Sequence, residues 1–454
     1  MNIKKGNFQF ILNFIRSLYP NRDTLPLHEP FFGGNEKKYV LDCIESTFVS
    51  SVGKYVDRFE EMIRDFTGAK YAVATVNGTS ALHIALKLAG VQEGDLVITQ
   101  PLTFIATCNA IAYCGAEPIF VDIDPKTLGM SPVSLELWLS ANTIIQDDAC
   151  YLKEVQESTN LHELSQVQES TNLHELSQVH ESTNLHKLSQ VQESTNLHEL
   201  SQIKELSNSN SSKFVKIRGL KKIAACVPMH TFGHPCKIDQ IIEICNRYHI
   251  PVVEDAAESI GSYYKGKHTG TFGKLGILSF NGNKTITTGG GGMILTNDDQ
   301  LGPLAKHITT TAKKAHPWKF EHDMIGYNYR LPNINAALGC AQMEMLPELL
   351  KNKRETARNY QNFFNNSRDV TFIQEPSDSI ANYWLNTILL KNEEERDSFL
   401  ERANTQKVMC RPAWILMNKL KMFSQCLKAE IPISEIIESK LVNIPSSYNK
   451  RFKQ

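Results

Sequence analysis

Lys284 stands in Leu278-Ser279-Phe280-Asn281-Gly282-Asn283-Lys284-Thr285-Ile286-Thr287-Thr288, and four consecutive glycines, 289–292, follow. Glycines of this kind let backbone approach closely around one lysine, and an amine in a confined, partly apolar site can serve as a carbonyl-condensing nucleophile. The lysine precedes the glycines and no glycine spacing matches, so neither the P-loop nor the dinucleotide-binding pattern fits. Two more groups carry potential chemistry. Asp255 closes the apolar run 251–255 and leads into Ala256-Ala257-Glu258-Ser259-Ile260-Gly261, which sets a carboxylate beside small residues with room for a flat ligand. Val76-Asn77-Gly78-Thr79-Ser80 places Gly, Thr and Ser where a strand turns into a helix, a place suited to a phosphate. Taken singly, each has an ordinary reading as an exposed lysine, a helix-capping aspartate or a simple turn.

The elements that must position these groups alternate. Residues 71–76, 96–98, 118–122, 223–227 and 251–255 read as apolar strands, and 80–88, 104–113 and 238–248 have helical spacing. Apolar strands alternating with helices predict a parallel sheet covered on both faces, with ligands collecting at the carboxyl ends of the strands. The fold class is α/β, with a large domain spanning 31–313, a smaller C-terminal α/β domain over 314–454, and an N-terminal helix and arm over 1–30. In that arm Phe8, Ile11, Leu12, Ile15 and Tyr19 recur at helical spacing, which predicts a short amphipathic helix docked near the small domain. The apolar helix 334–348 is a candidate dimer element.

A phosphate cup at Gly78 and Thr79, an aromatic at Phe104, the carboxylate of Asp255 and the amine of Lys284 together match the needs of pyridoxal 5'-phosphate, which requires a Schiff-base lysine and a carboxylate that keeps its ring nitrogen protonated. The chain resembles the fold-type-I sugar aminotransferases of the DegT/DnrJ/EryC1/StrS family from about residue 26 to 447, interrupted by an insert. The resemblance rests on Asn77-Gly78-Thr79-Ser80-Ala81-Leu82, Pro101-Leu102-Thr103-Phe104, Val121-Asp122-Ile123-Asp124, Glu254-Asp255-Ala256-Ala257-Glu258, residues 279–284, the glycine run and Gly326-Tyr327-Asn328-Tyr329-Arg330. It implies that Lys284 forms the Schiff base and Asp255 binds the pyridine nitrogen. It further implies that Phe104 stacks on the ring, that Gly78, Thr79 and Ser279 hold the phosphate with Asn328 from a second subunit of a homodimer, and that Glu258 is a polar ring or substrate contact. Ser50, His230, Arg330 and Arg411 are candidate substrate contacts.

Segments such as Pro26-Leu27-His28-Glu29-Pro30, residues 47–53 and 228–235, Asn382-Tyr383-Trp384-Leu385-Asn386 and Arg411-Pro412-Ala413-Trp414 are similar to the branch that makes 4-amino sugars for legionaminic-acid-type synthesis. The resemblance therefore implies L-glutamate as donor and a nucleotide-linked 4-keto-6-deoxy-N-acetylhexosamine, UDP-linked or alternatively GDP-linked, as acceptor. Dehydratases on this fold carry histidine in place of the lysine, so Lys284 speaks against that activity. A non-catalytic, decayed copy is the remaining alternative.

Composition excludes other classes. The 454 residues carry 48 Lys and Arg against 49 Asp and Glu, so no overall field recommends nucleic acid or an anionic membrane. No apolar run approaches the roughly 18 residues of a membrane span, and the cytoplasm is the expected compartment. Ten scattered cysteines without a C-x-x-C pair predict reduced thiols and no metal site. Residues 155–202 hold four tandem 12-residue copies of V-Q-E-S-T-N-L-H-E-L-S-Q type with seven Glu and one Lys. A 12-residue period turns an apolar helical face by about 120° per copy and gives no continuous stripe. The repeat reads as an expansion inside a surface insert, 145–213, because loops tolerate insertion at small entropic cost.

Overall fold

The computed structural model describes residues 8–153 and 220–452; the four repeats lie outside them. The helices are α1 (Gln9–Leu18), α2 (Glu36–Glu45), α3 (Lys54–Thr67), α4 (Gly78–Ala89), α5 (Ile105–Tyr113), α6 (Pro132–Asn142), α7 (Ile238–Arg247), α8 (Leu301–Thr309), α9 (Asn333–Phe364), α10 (Glu393–Thr405) and α11 (Pro432–Lys440). The strands of the large unit are β1 (Tyr71–Thr75), β2 (Leu96–Thr99), β3 (Glu117–Phe120), β4 (Thr143–Gln146), β5 (Ala149–Leu152), β6 (Ile223–Val227), β7 (Val253–Asp255), β8 (Tyr263–Tyr264), β9 (Lys267–His268), β10 (Leu275–Ser279) and β11 (Gly292–Thr296). Nearer the C-terminus come β12 (Thr371–Phe372), β13 (Ser379–Ile380), β14 (Asn386–Leu389), β15 (Arg411–Pro412) and β16 (Leu441–Ile444).

Two ladders, β3-β2-β6 and β7-β10-β11-β1, are joined by parallel bridges Cys226↔Val252 and Met229↔Asp255 into one central sheet. Every pairing is parallel except those of β11, which runs antiparallel to both β10 and β1. Strand residues alternate between faces, as the pleat requires. Val73, Val97, Ile277 and Ile294 share a core with α4, α5 and α8. On the other face Ala72, Ala74, Leu278 and Met293 pack with α3 and α9, while Leu96 and Ile98 pack with α6 and α7. The predicted three-layer α/β sheet is therefore present, with one strand reversed.

The span read as a surface insert begins later than expected. Thr143 to Leu152 form an antiparallel hairpin whose end pairs with Lys222, so regular structure continues through the expected boundary at 145. The helix expected over 334–348 is also different, since α9 runs for 32 residues. Its first half buries Ala336, Ala337, Cys340 and Leu346 against α3 and the sheet, and its second half buries Ala357, Tyr360 and Phe364 in the second core. The apolar face assigned to a dimer contact is thus spent inside the subunit.

The second core surrounds the antiparallel sheet β12-β14-β16-β15. Helix α1 docks there as its periodicity predicts, with Ile11, Leu12 and Ile15 wholly buried beside Tyr360, Phe372 and Phe399. Within α9, Lys353 is 4% exposed and donates to the carbonyls of Trp384 (3.1 Å) and Ser446 (2.9 Å), tying the helix to two strand-flanking segments. Burial brings its pKa down from the usual 10.5 to about 7. Between those values the unfolded chain binds a proton that the folded chain does not, so this group makes stability rise with pH from about 7 towards 10. We expect the urea midpoint of the wild type to gain more between pH 7 and pH 9 than that of Lys353→Met; equal gains would contradict the assignment.

Candidate active site

The chemistry-bearing residues gather at the carboxyl ends of β1, β7 and β10. Thr75 and Ser279, the last residues of β1 and β10, both pair with Gly292, the first of the reversed strand β11. Asn77 caps α4 by accepting the backbone N–H of Ser80 at 2.7 Å. A Cβ on Gly78 would lie 2.8 Å from the Cβ of Ser279, and one on Gly292 would run into the Asn77 carbonyl. Glycine is required at both positions for the three strand ends to close into one cup. The cup holds the N-terminal N–H groups of α4, half-buried Thr79 and the hydroxyl of Ser279, a donor set made for a phosphate.

Asp255 ends β7 at 4% exposure. Its Oδ2 accepts the Thr107 hydroxyl at 2.7 Å and its Oδ1 accepts the Ala257 N–H at 3.1 Å. Burial raises its pKa, opposed by those two hydrogen bonds and by the more distant charge of Lys284. Both polar partners are neutral, and a carboxylate held in this way is completed by a cation such as a protonated ring nitrogen. Phe104, at the N-cap of α5 and three residues before the Thr107 that holds this carboxylate, is 46% exposed with its ring 5.9 Å from that of Trp414.

Lys284 meets Glu258, its Nζ lying 3.1 Å from Oε1. The other carboxylate oxygen accepts the Phe232 N–H at 2.9 Å. That N–H is aimed by a left-handed Phe232, φ +56°, a conformation bulky residues rarely adopt. Burial pushes Glu258 up to about 6, against the pull of the Lys284 charge and the Phe232 bond. The residues present fit pyridoxal phosphate at each point: phosphate cup, open aromatic face, buried carboxylate and sheltered amine.

The substrate candidates scatter. Asn328 is exposed and its Oδ1 accepts Nε and Nη2 of Arg330 at 3.1 and 2.9 Å. Arg330 also lines a cavity with Ser51, Val52, Gly53 and Lys306, next to exposed Ser50, whose carbonyl accepts the Asn333 N–H. Arg411 is exposed and turned onto its own strand and helix, donating to Asn404 and to the Cys410 carbonyl. His230 does not reach substrate. It is fully buried, with Nε2 3.0 Å from Glu254 and Nδ1 accepting the Cys236 N–H, so both ring nitrogens serve the core. Sequence reading gave no role to Thr107, which sets Asp255, or to Trp384, whose ring lies 4.0 Å from the Lys284 Nζ.

The profile of the DegT/DnrJ/EryC1/StrS aminotransferase family matches residues 31–149 and 194–450. The chain belongs to this family. It is 33% identical over 422 residues to the GDP-perosamine synthase of Escherichia coli O157:H7, covering 93% of each. It is 31% identical over 401 residues to the putative pyridoxal phosphate-dependent aminotransferase EpsN of Bacillus subtilis (strain 168), covering 88% of this chain and 84% of the relative. The Helicobacter pylori aminotransferase PseC superimposes with a TM-score of 0.71 over 93% of both chains at 20% identity, which speaks to fold. This member of the DegT/DnrJ/EryC1/StrS family is accordingly a pyridoxal-phosphate-dependent sugar aminotransferase of nucleotide-sugar metabolism.

If Asp255 serves as the counter-charge of the ring nitrogen, Asp255→Asn should retain bound cofactor yet lose about a hundredfold or more in kcat. Cofactor content by absorbance and turnover, measured on the same preparation, check this.

Proposed function

We propose that the chain transfers the amino group of L-glutamate to the C4 carbonyl of a UDP-linked 4-keto-6-deoxy-N-acetylhexosamine, supplying a 4-amino sugar for legionaminic-type or related surface glycans. The observation that carries the reaction is the Lys284 amine held against Glu258, together with the buried carboxylate of Asp255, which has only two neutral donors. When bound, pyridoxal phosphate supplies a carbonyl for the lysine and an electron sink for the substrate carbon. Lys284 would hold the cofactor through its amine and, once free of it, would move the proton at the reacting carbon. Asp255 keeps the ring nitrogen charged, the Gly78–Thr79–Ser279 cup anchors the phosphate, and Glu258 keeps the amine within reach.

The acceptor rests on the resemblance of residues 26–30, 47–53, 228–235, 382–386 and 411–414. A GDP-linked acceptor is the second reading, supported by the name of the 33% identical relative. A homodimer with a shared site belongs to the same reading: Asn328, which the resemblance assigns to the phosphate of a neighbouring subunit, stands exposed at the surface of its own subunit.

The test is the visible absorbance of the protein with pyridoxal phosphate. Glutamate should bleach the lysine-bound band and the UDP-linked 4-keto sugar should restore it. Restoration by the GDP-linked sugar alone would move the assignment to the second reading, and no band at all would favour the decayed copy. Lys284→Ala should show no turnover; near-wild-type rates in it would overturn the site.

A further inference from the structure

We propose that Trp384, on the segment linking the two cores, is a catalytic residue: its indole face and the Glu258 carboxylate form a two-sided dock for the free Lys284 amine. This rests on the reading of Lys284 as the cofactor-binding lysine. The Nζ lies 4.0 Å from the Trp384 ring centroid and 3.1 Å from Glu258 Oε1, so the amine is held between a π face and a carboxylate. The Lys284 side chain is 11% exposed and Trp384 is 4% exposed, which limits the access of water to the amine. Indole Nε1 donates to the carbonyl of Asn283 at 2.7 Å, so the same side chain that faces the amine also fixes the backbone one residue before it.

Trp384 is itself held rigidly. Its N–H donates to Asn382 Oδ1 at 2.8 Å and its carbonyl accepts Lys353 at 3.1 Å. The Asn382 amide donates to the carbonyls of Glu258 and Ile260, both at 2.9 Å, so the indole and the carboxylate that share the lysine are registered against each other by one buried side chain. The other groups facing the dock are Asp255 and His28, and burial, followed by the charges of Lys353 and Lys284, holds His28 well below its usual range.

A docked amine is pre-oriented in two situations, when the protein first captures its cofactor and when the donor has displaced the lysine. In capture the docked ammonium gives a proton to Glu258 Oε1, 3.1 Å away, and the neutral amine then joins the cofactor's aldehyde with loss of one water; the rate can be read without turnover. The full chain is stripped of cofactor, pyridoxal phosphate is added, and the growth of the lysine-bound band is followed. Trp384→Leu, which removes the π face, is expected to capture at least tenfold more slowly than wild type, whereas Trp384→Phe, which keeps a π face, stays within threefold. Should the leucine variant not fold, Trp384→Met, of similar reach and without a ring, replaces it. Leucine or methionine variants that capture as fast as wild type overturn the proposal, and so does a phenylalanine variant as slow as they are, since the effect would then lie in the bond to Asn283. Absence of a band in the wild type would instead sink the cofactor reading itself.

Discussion

Three carboxylates fall within five residues, Glu254, Asp255 and Glu258, and all three are buried. Removing a charged carboxylate from water costs several kcal/mol even after relaxation, unless hydrogen bonds or a cation replace the solvent. Much of the surrounding structure is organised to meet that demand, and it meets it differently for each. Glu254 accepts the N–H groups of Gly270, Phe272 and Gly273 and pairs with His230, so nothing remains for a ligand. Asp255 has two neutral donors, and Glu258 has one backbone N–H and the lysine. The fully satisfied carboxylate is structural. The two left short of partners are those proposed to take part in the chemistry.

Glu258 is held from two sides, its carboxylate by the large unit and its backbone carbonyl by Asn382. Its backbone donor comes from the 231–233 turn, where left-handed Phe232 is followed by Gly233, whose missing Cβ leaves room for Asn382. Asn382 and Trp384 come from the strand-flanking segment before β14, and α9 carries Lys353 to the same place. Lys284, the lysine proposed to bind the cofactor, thus stands where the large sheet, the small sheet and the long helix meet. A change in how the two cores pack would reach it through these side chains, since buried groups with fixed partners transmit displacement rather than absorb it.

The main layers were legible because the strands are apolar and separated by helical periods, and the family motifs placed the strand ends. The reversal of β11 was not read, although a signal exists. Only 280–291 separate β10 from β11, and their glycines cannot build the crossover helix that a parallel neighbour needs. The length of α9 was hidden by Lys351, Lys353, Arg354 and Glu355, which look like a solvated stretch; Lys353 is buried because two carbonyls from distant segments accept it. His230 is a candidate only through the resemblance of residues 228–235. Its partner Glu254 is 24 residues away, and no local pattern announces that pairing. Trp384 lay within a segment noted for resemblance, but its contact with Lys284 spans 100 residues and exists only in three dimensions.

One helical turn links the two ligating features that most need a fixed relation. Phe104 caps α5 and Thr107 lies three positions on, which puts both on one side of the helix start. Thr107 also meets the hydroxyl of Thr103 at 2.7 Å, and Thr103 lies 2.9 Å from the sulfur of Met229, itself bridged to Asp255. The aromatic that would cover a flat ring and the hydroxyl that aims the carboxylate at the ring's nitrogen are therefore set by the same turn. Stacking and aim would be lost together if that turn moved, so the orientation of a bound ring would rest on it, and Lys284 would be left to supply chemistry without also supplying orientation.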